Sequence, residues 1–350
     1  MAFDLYDLFT LDSVFRQVKK PAPPFWLTLF TRQINFDTPE IYFEKVFGDD
    51  RALAPFVVPT AQGRPQKLDG FQALALAPAY VKILDVVNPQ MHIARMPGEA
   101  FGGSLTIEQR RNAVIAELLR RARLKFQNRN EWLAAKAIQD GAVTIEGEDY
   151  PSTLVDFRRD ASLTVTLAGA AQWDETTADP LGDLKDARLT ANNLSGVRIS
   201  KIIFGGNAWN LFAARVDLKE LMDTRYGGRE VRVTLISDDF QGGQEYMGSI
   251  AGLNGAGRME LWVDTSQYID PEDGAQKYYL DQDTVVGVSE AVEGVRCFGA
   301  IMDADAGYRP LEYFFKNWRN PNPSTEQLLS QSAPLMVPKN PNATFSIKVV

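Results

Sequence analysis

The residues able to do chemistry are few. His92 is the only histidine and Cys297 the only cysteine in 350 residues. His92 lies in Asn88-Pro89-Gln90-Met91-His92-Ile93-Ala94-Arg95-Met96-Pro97, near an arginine, a setting that invites a search for a catalyst. One histidine and one cysteine cannot supply an HExxH zinc site, a Cys/His zinc cluster or a CxxC redox pair. A serine triad would have to run through His92. Neither a GxSxG elbow nor a GxxxxGK[ST] phosphate loop occurs. Gly252, Gly255 and Gly257 have the wrong spacing for a dinucleotide loop and read as a flexible loop. Asp281 and Asp283 open like a calcium loop, but Val286 stands where glycine is needed and Val292 where the final glutamate is needed. Asp303 and Asp305 read as a strand-end turn. A hydrolase working through Asp264, Asp270 or Asp273 is a remote alternative. No catalytic residue, metal ligand or cofactor is expected, and His92 reads as a plain strand residue.

Composition narrows the class further. Apolar residues make up 45% of the chain and charged residues 23%, which supports a folded core rather than disorder. At this length two or three sub-domains are expected. The net charge is −8, from 37 Lys+Arg against 45 Asp+Glu, and it repels phosphate backbones rather than binding them. The cluster Arg110, Arg111, Arg120, Arg121 and Arg123 falls on a predicted helix with Glu108 and Glu117 and reads as a solvated face. A single cysteine allows no intrachain disulfide. No signal peptide or membrane span is visible, so a soluble cytosolic product is expected.

These residues must be positioned by a particular run of elements. Phe3, Leu5, Leu8, Phe9, Leu11, Val14 and Phe15 give a short amphipathic helix, which Pro21, Pro23 and Pro24 end. The aromatic stretch Phe25-Trp26-Leu27-Thr28-Leu29-Phe30 cannot bury itself and must lie on the body of its own molecule or on a neighbour. Residues 38–87 read as a two-stranded excursion with a polar tip at 61–66 and a returning strand at 79–87. It is either an ordinary surface hairpin or a projection onto something else. Residues 104–140 give the strongest helix signal, a rod of roughly 50 Å with a capping box at Thr106 and Gln109 and a stop at Gly141. Gln90–Met96 is expected as a strand between turns. Strands follow at 142–150, 154–157 and 163–167. An α/β unit spans 175–290, with a helix starting at Asp179-Pro180, one from Asn207, another around Leu218–Met222, and strands at 197–204, 231–236, 259–263 and 284–288. Its loops at 240–257 and 264–280 sit where a crevice or interface would be. The final alternating stretch 343–350 should be tied into a sheet.

Several local words are distinctive: Ala79-Tyr80-Val81-Lys82, Val87-Asn88-Pro89-Gln90-Met91, Arg95-Met96-Pro97, Phe298–Ala306, Lys316-Asn317-Trp318 and Gln331-Ser332-Ala333-Pro334-Leu335-Met336. In them the chain resembles the lambda-type phage major capsid proteins, the capsid protein E family of the Hong Kong 97-type fold. The likeness covers most of the chain in order, and segment 226–275 departs from it. It implies an α+β fold with an N-terminal arm (1–37), an extended β-hairpin loop (38–87), a peripheral domain (88–174 and 290–350) with spine helix 104–140, and an axial domain (175–289). It implies hexamers and pentamers that build an icosahedral head around double-stranded DNA, matured by subunit rearrangement, with decoration, portal and scaffold proteins as partners. The place of the protein is then the virion, after assembly in the host cytoplasm. A tube or decoration protein is the alternative within the same class. On the resemblance, Phe25, Trp26, Phe30, Gly63, Arg64, Pro65 and Gln66 are candidate inter-subunit contacts. Asn88, Pro89, Pro97 and Gly98 are candidate hinges. Lys45, Lys67 and Lys82 raise the question of Lys–Asn cross-links, for which a decoration protein is the favoured substitute.

Overall fold

The computed structural model describes residues 25–38, 41–47, 70–76, 78–93, 106–147, 150–215, 243–250, 258–322 and 324–350. The expected amphipathic helix at the N-terminus, the hairpin tip 61–66, Pro97 and Gly98, the Leu218–Met222 helix, the 231–236 strand and the glycines at 252, 255 and 257 lie outside the described residues.

After a 3-10 turn at Trp26–Leu29 come β1 (Arg32–Asn35), β2 (Ile41–Phe47), β3 (Gly70–Leu76), β4 (Val81–Val87) and the short helix α1 (Pro89–Ile93). The long helix α2 (Ile107–Gln139) is followed by β5 (Ala142–Gly147), β6 (Tyr150–Asp156) and β7 (Thr164–Thr166). Next are α3 (Pro180–Ser195), β8 (Lys201–Phe204), α4 (Gly206–Arg215), β9 (Gln244–Ile250) and β10 (Met259–Asp264). The chain ends through β11 (Gln267–Ile269), β12 (Gln276–Tyr278), β13 (Thr284–Val288), β14 (Gly294–Phe298), β15 (Phe314–Pro321), β16 (Ser324–Ser332), β17 (Pro334–Pro338) and β18 (Thr344–Lys348).

The sequence signals for α2 operate as expected. The Gln109 N–H donates to Thr106 Oγ1 at 3.2 Å and the Thr106 N–H to Gln109 Oε1 at 2.8 Å, so the first turn is capped reciprocally. At the other end Arg159 closes the helix. Its guanidinium donates to the Ile138 carbonyl at 2.7 Å and the Gln139 carbonyl at 2.8 Å, where both unpaired carbonyls and the negative dipole end favour a cation. Gly141 leaves the helix at φ +67°, and a Cβ there would stand 2.8 Å from the Arg159 guanidinium, so glycine serves both conformation and space. At about 1.5 Å per residue, 33 residues span roughly 50 Å.

Two layers pack against this rod. The first half of α2 lays Ile115, Leu119, Ala122 and Phe126 on Phe315 and Leu328 of the three-stranded sheet β15-β16-β4. Its second half, Leu133, Ala134, Ala137 and Ile138, packs into a core with Ile203, Trp262, Val286 and Val288. Those four come from the six-stranded sheet β7-β18-β13-β8-β10-β9. Side chains of the alternate parity, Ile202, Phe204, Leu261, Val285, Phe345 and Ile347, face the other way onto Leu184 and Ala191 of α3 and Ala208 and Phe212 of α4. The sheet is thus buried on both faces, which explains why β13 reads as a continuous apolar run rather than an alternation. The tail is tied in as expected, since β18 lies between β13 and β7. The sheet therefore draws on residues on both sides of the expected boundaries at 174/175 and 289/290.

Three expectations are corrected. Residues 89–93 form helix α1, not a strand. Proline is favoured at a first helical position, and the Met91 N–H bonds the Asn88 carbonyl at 3.0 Å. The strand that returns to β2 is β3, with Ile41 opposite Leu76 and Phe47 opposite Gly70. Val81–Val87 instead pairs antiparallel with β16, Val81 opposite Ser332 and Val87 opposite Glu326. The expected loop at 240–257 contains the edge strand β9, paired antiparallel with β10 through a register shift at Leu261/Trp262.

Candidate functional site

The aromatic stretch that needed a surface finds it within its own chain. Trp26 and Phe30 are fully buried and Phe25 is 9% exposed, so these three present almost nothing to a neighbour. Phe25 lies edge-on to Trp26 and tilted against Trp262, ring centroids 5.6 Å apart in both pairs. As inter-subunit contacts they are corrected: they close the core between α2 and the six-stranded sheet.

Trp26 is also polar glue. Its backbone N–H donates to Glu131 Oε1 at 2.7 Å and the Leu27 N–H donates to Glu131 Oε2 at 2.9 Å. One α2 carboxylate thereby caps the start of the 3-10 turn, where unpaired N–H groups favour an anion. The Trp26 indole donates to Asp264 Oδ2 at 2.7 Å, at the end of β10. Asp264 also accepts from the Ser266 N–H at 2.9 Å, the Ser266 hydroxyl and the Gln244 amide at 3.1 Å. Glu131 and Asp264 are 3% and 1% exposed, so this cluster joins the first described segment, the long helix and the large sheet inside the molecule. Nothing in the sequence pointed to it. The partners are 105 and 238 residues from Trp26, and acids are too common for their types to be a signal.

A second buried tie lies at the other end of α2. Arg111 Nε and Nη2 donate to Glu326 Oε2 and Oε1 at 2.9 and 2.7 Å, and Asn317 Nδ2 donates to Oε1 at 2.9 Å. Arg111 was expected on a solvated face and is 5% exposed instead. Arg120 and Arg121 do form that solvated face, both on Glu117, whose carboxyl is held down to about 2 by their hydrogen bonds.

The other candidates do not converge. Asp270 and Asp273 sit on the exposed β11–β12 turn, both on Lys277, and Asp264 is committed to Trp26. Asp303 and Asp305 form a turn braced by Lys316 at 2.6 and 3.3 Å. The Asp283 N–H donates to Asp281 Oδ1 at 3.3 Å in the turn before β13, and the Asp283 carboxylate accepts from Asn207. Cys297 is fully buried, and burial pushes its thiol up to about 12, which keeps it out of thiolate chemistry. Among the described residues no group of three or more His, Cys, Asp or Glu side chains could hold a metal ion. Asn88 and Pro89 are exposed at the β4–α1 junction. Gly63, Arg64, Pro65 and Gln66 lie outside the described residues.

The model of phage major capsid protein E matches residues 7–349. The chain belongs to that family. It is 30% identical over 335 residues to the major capsid protein of Escherichia phage lambda, covering 93% of this chain and 94% of that one. It is 31% identical, with the same coverage, to the major capsid protein of Escherichia phage N15. Its fold is similar to a crystal structure of a prophage protein of Escherichia coli CFT073, described as a capsid protein. The TM-score is 0.75 at 23% identity, over 99% of this chain and 100% of the other. The chain is thus a phage major capsid protein of α+β fold, a structural component of the virion and not an enzyme. No helix among the described residues is long and apolar enough to cross a membrane.

Proposed function

We propose that copies of this chain assemble as hexamers and pentamers into the icosahedral head of a tailed phage, around double-stranded DNA. In this reading the β2–β3 pair and the residues between its strands lie across a neighbouring subunit. The observation that carries it is topological: among the described residues β2 and β3 pair only with each other and join no other sheet. An isolated two-stranded ribbon is marginal in water and gains stability by lying on another surface. Exposed apolar side chains on separate elements, Leu84 and Val86 on β4, Leu154 on β6 and Ile269 on β11, offer further contacts. Many small interfaces then add through symmetry. An acidic wall keeps the packaged phosphate backbone from adhering. Decoration, portal and scaffold proteins complete the particle, which forms in the host cytoplasm, and maturation bends the spine helix α2 and the ribbon while the domains stay rigid.

The test is deletion of residues 58–69. The expected product is a soluble, folded subunit that fails to close shells by electron microscopy. Normal heads from this deletion would refute the role of the ribbon. Long tubes from the intact chain would favour a tube protein instead.

A further inference from the structure

Glu131 and Asp264 are two carboxylates buried around one tryptophan. Neither has a lysine or arginine within ion-pair distance among the described residues, although burying a carboxylate without a cation is costly. We propose that the Trp26–Glu131–Asp264 cluster is a proton-controlled fastener, in which uptake of one proton at Glu131 tightens the hold of Trp26–Phe30 on α2 and β10.

The geometry selects Glu131. Asp264 already accepts four donors: the Trp26 indole, the Ser266 N–H, the Ser266 hydroxyl and the Gln244 amide. A carboxylate has about four lone-pair sites, so a proton on Asp264 would displace a partner. Glu131 accepts only the Trp26 and Leu27 N–H groups, one on each oxygen, and keeps room for a proton. The titratable group facing the pair is Tyr279, just beyond β12, and Tyr268 on β11 and Arg129 on α2 stand next to Tyr279 in turn. Burial and the neighbouring carboxylates push the Tyr279 phenol up, which keeps it neutral, and the Arg129 guanidinium lies over the Trp132 ring, 5.2 Å from its centroid. Burial pushes the Glu131 carboxyl up to about 8, the two N–H groups pull against that, and the Asp264 charge adds to it.

The direction follows from linkage. An undocked, solvated Glu131 would titrate at its ordinary value of 4.5, and the docked one at about 8. The docked state therefore holds more protons between those values. Docking is at full strength below the lower value, weakens as pH rises through the window, and levels off above the upper one. Within the window the docking constant falls by up to about tenfold per pH unit.

Hydrogen exchange of the 25–30 segment in the purified full chain tests this, read from pH 5 to 9 after division by intrinsic rates. The expected result is protection that falls steeply to about pH 8 in wild type, and a flat profile in Glu131→Gln. Protection independent of pH in wild type, or an unchanged slope in Glu131→Gln, overturns the proposal. Should Glu131→Gln not fold, infrared spectra of wild type decide. A protonated-carboxyl band present at pH 6.5 and lost by pH 9 supports the fastener, and its absence at pH 6.5 refutes it.

Discussion

Replacing Arg111 by alanine removes the cation from a carboxylate that is itself 6% exposed. Glu326 then keeps only the Asn317 amide at 2.9 Å from its present hydrogen bonds. Burial alone pushes the Glu326 carboxyl up. Arg111, with help from Asn317 and the more distant Arg319, more than offsets this and holds it below its ordinary value. Breaking a buried pair by deleting one partner costs about 3–5 kcal/mol, because the remaining charge is stranded. Arg319 beside it is exposed, so water is near and the lower half of that range applies. Urea unfolding of the soluble subunit should show a loss of about 3 kcal/mol for Arg111→Ala. The joint change Arg111→Met with Glu326→Leu should recover most of it, since an apolar pair of similar volume strands nothing. The pH dependence has a definite sign. A depressed carboxyl contributes stability above its ordinary value of 4.5 and loses it as pH falls through the depressed one. Wild type should therefore lose this contribution in acid, and Arg111→Ala should have none to lose. A single-mutant cost under about 1 kcal/mol would place the pair among solvent-screened surface bridges and refute the account.

Gly287 and Cys297 test the packing independently. A Cβ at Gly287 would overlap the ring of Phe345 on the neighbouring strand β18. Gly287→Ala should cost about 1–3 kcal/mol in urea unfolding, from forced displacement of a fully buried ring, and Gly287→Ala with Phe345→Leu should cost less than the sum of the two changes. The Cys297 thiol, buried and pushed up to about 12, should resist a thiol reagent at pH 8 in the native subunit. Its labelling rate should follow unfolding in urea, and fast labelling of native protein would refute the burial.

Sequence alone showed what local rules determine. The capping box of α2 and the Asp179-Pro180 start of α3 stood where expected and are set by side chains a few residues away, and the stop of α3 at Gly196, with φ +71°, is equally local. The failures share one physical origin. Gly70–Leu76 and Val81–Val87 carry similar alternation, and nothing local decides which returns to β2 and which joins β16, some 240 positions on, because register is fixed by a partner and not by a strand's own pattern. Asn88-Pro89 signalled a turn, yet a five-residue helix is too short for periodicity to separate it from a strand. The aromatic stretch at 25–30 was rightly seen as unable to bury itself, but hydrophobicity does not say whose surface covers it. Its answer was written in Glu131 and Asp264, two acids among 45. The features that hold this subunit together are therefore those its sequence displays least. A buried polar group is recognisable only through its partner, and here the partners are more than a hundred residues apart. The ribbon β2–β3 is the converse case: its alternation is plain, and among the described residues it joins no other sheet, which is the observation on which the proposed contact with another subunit rests.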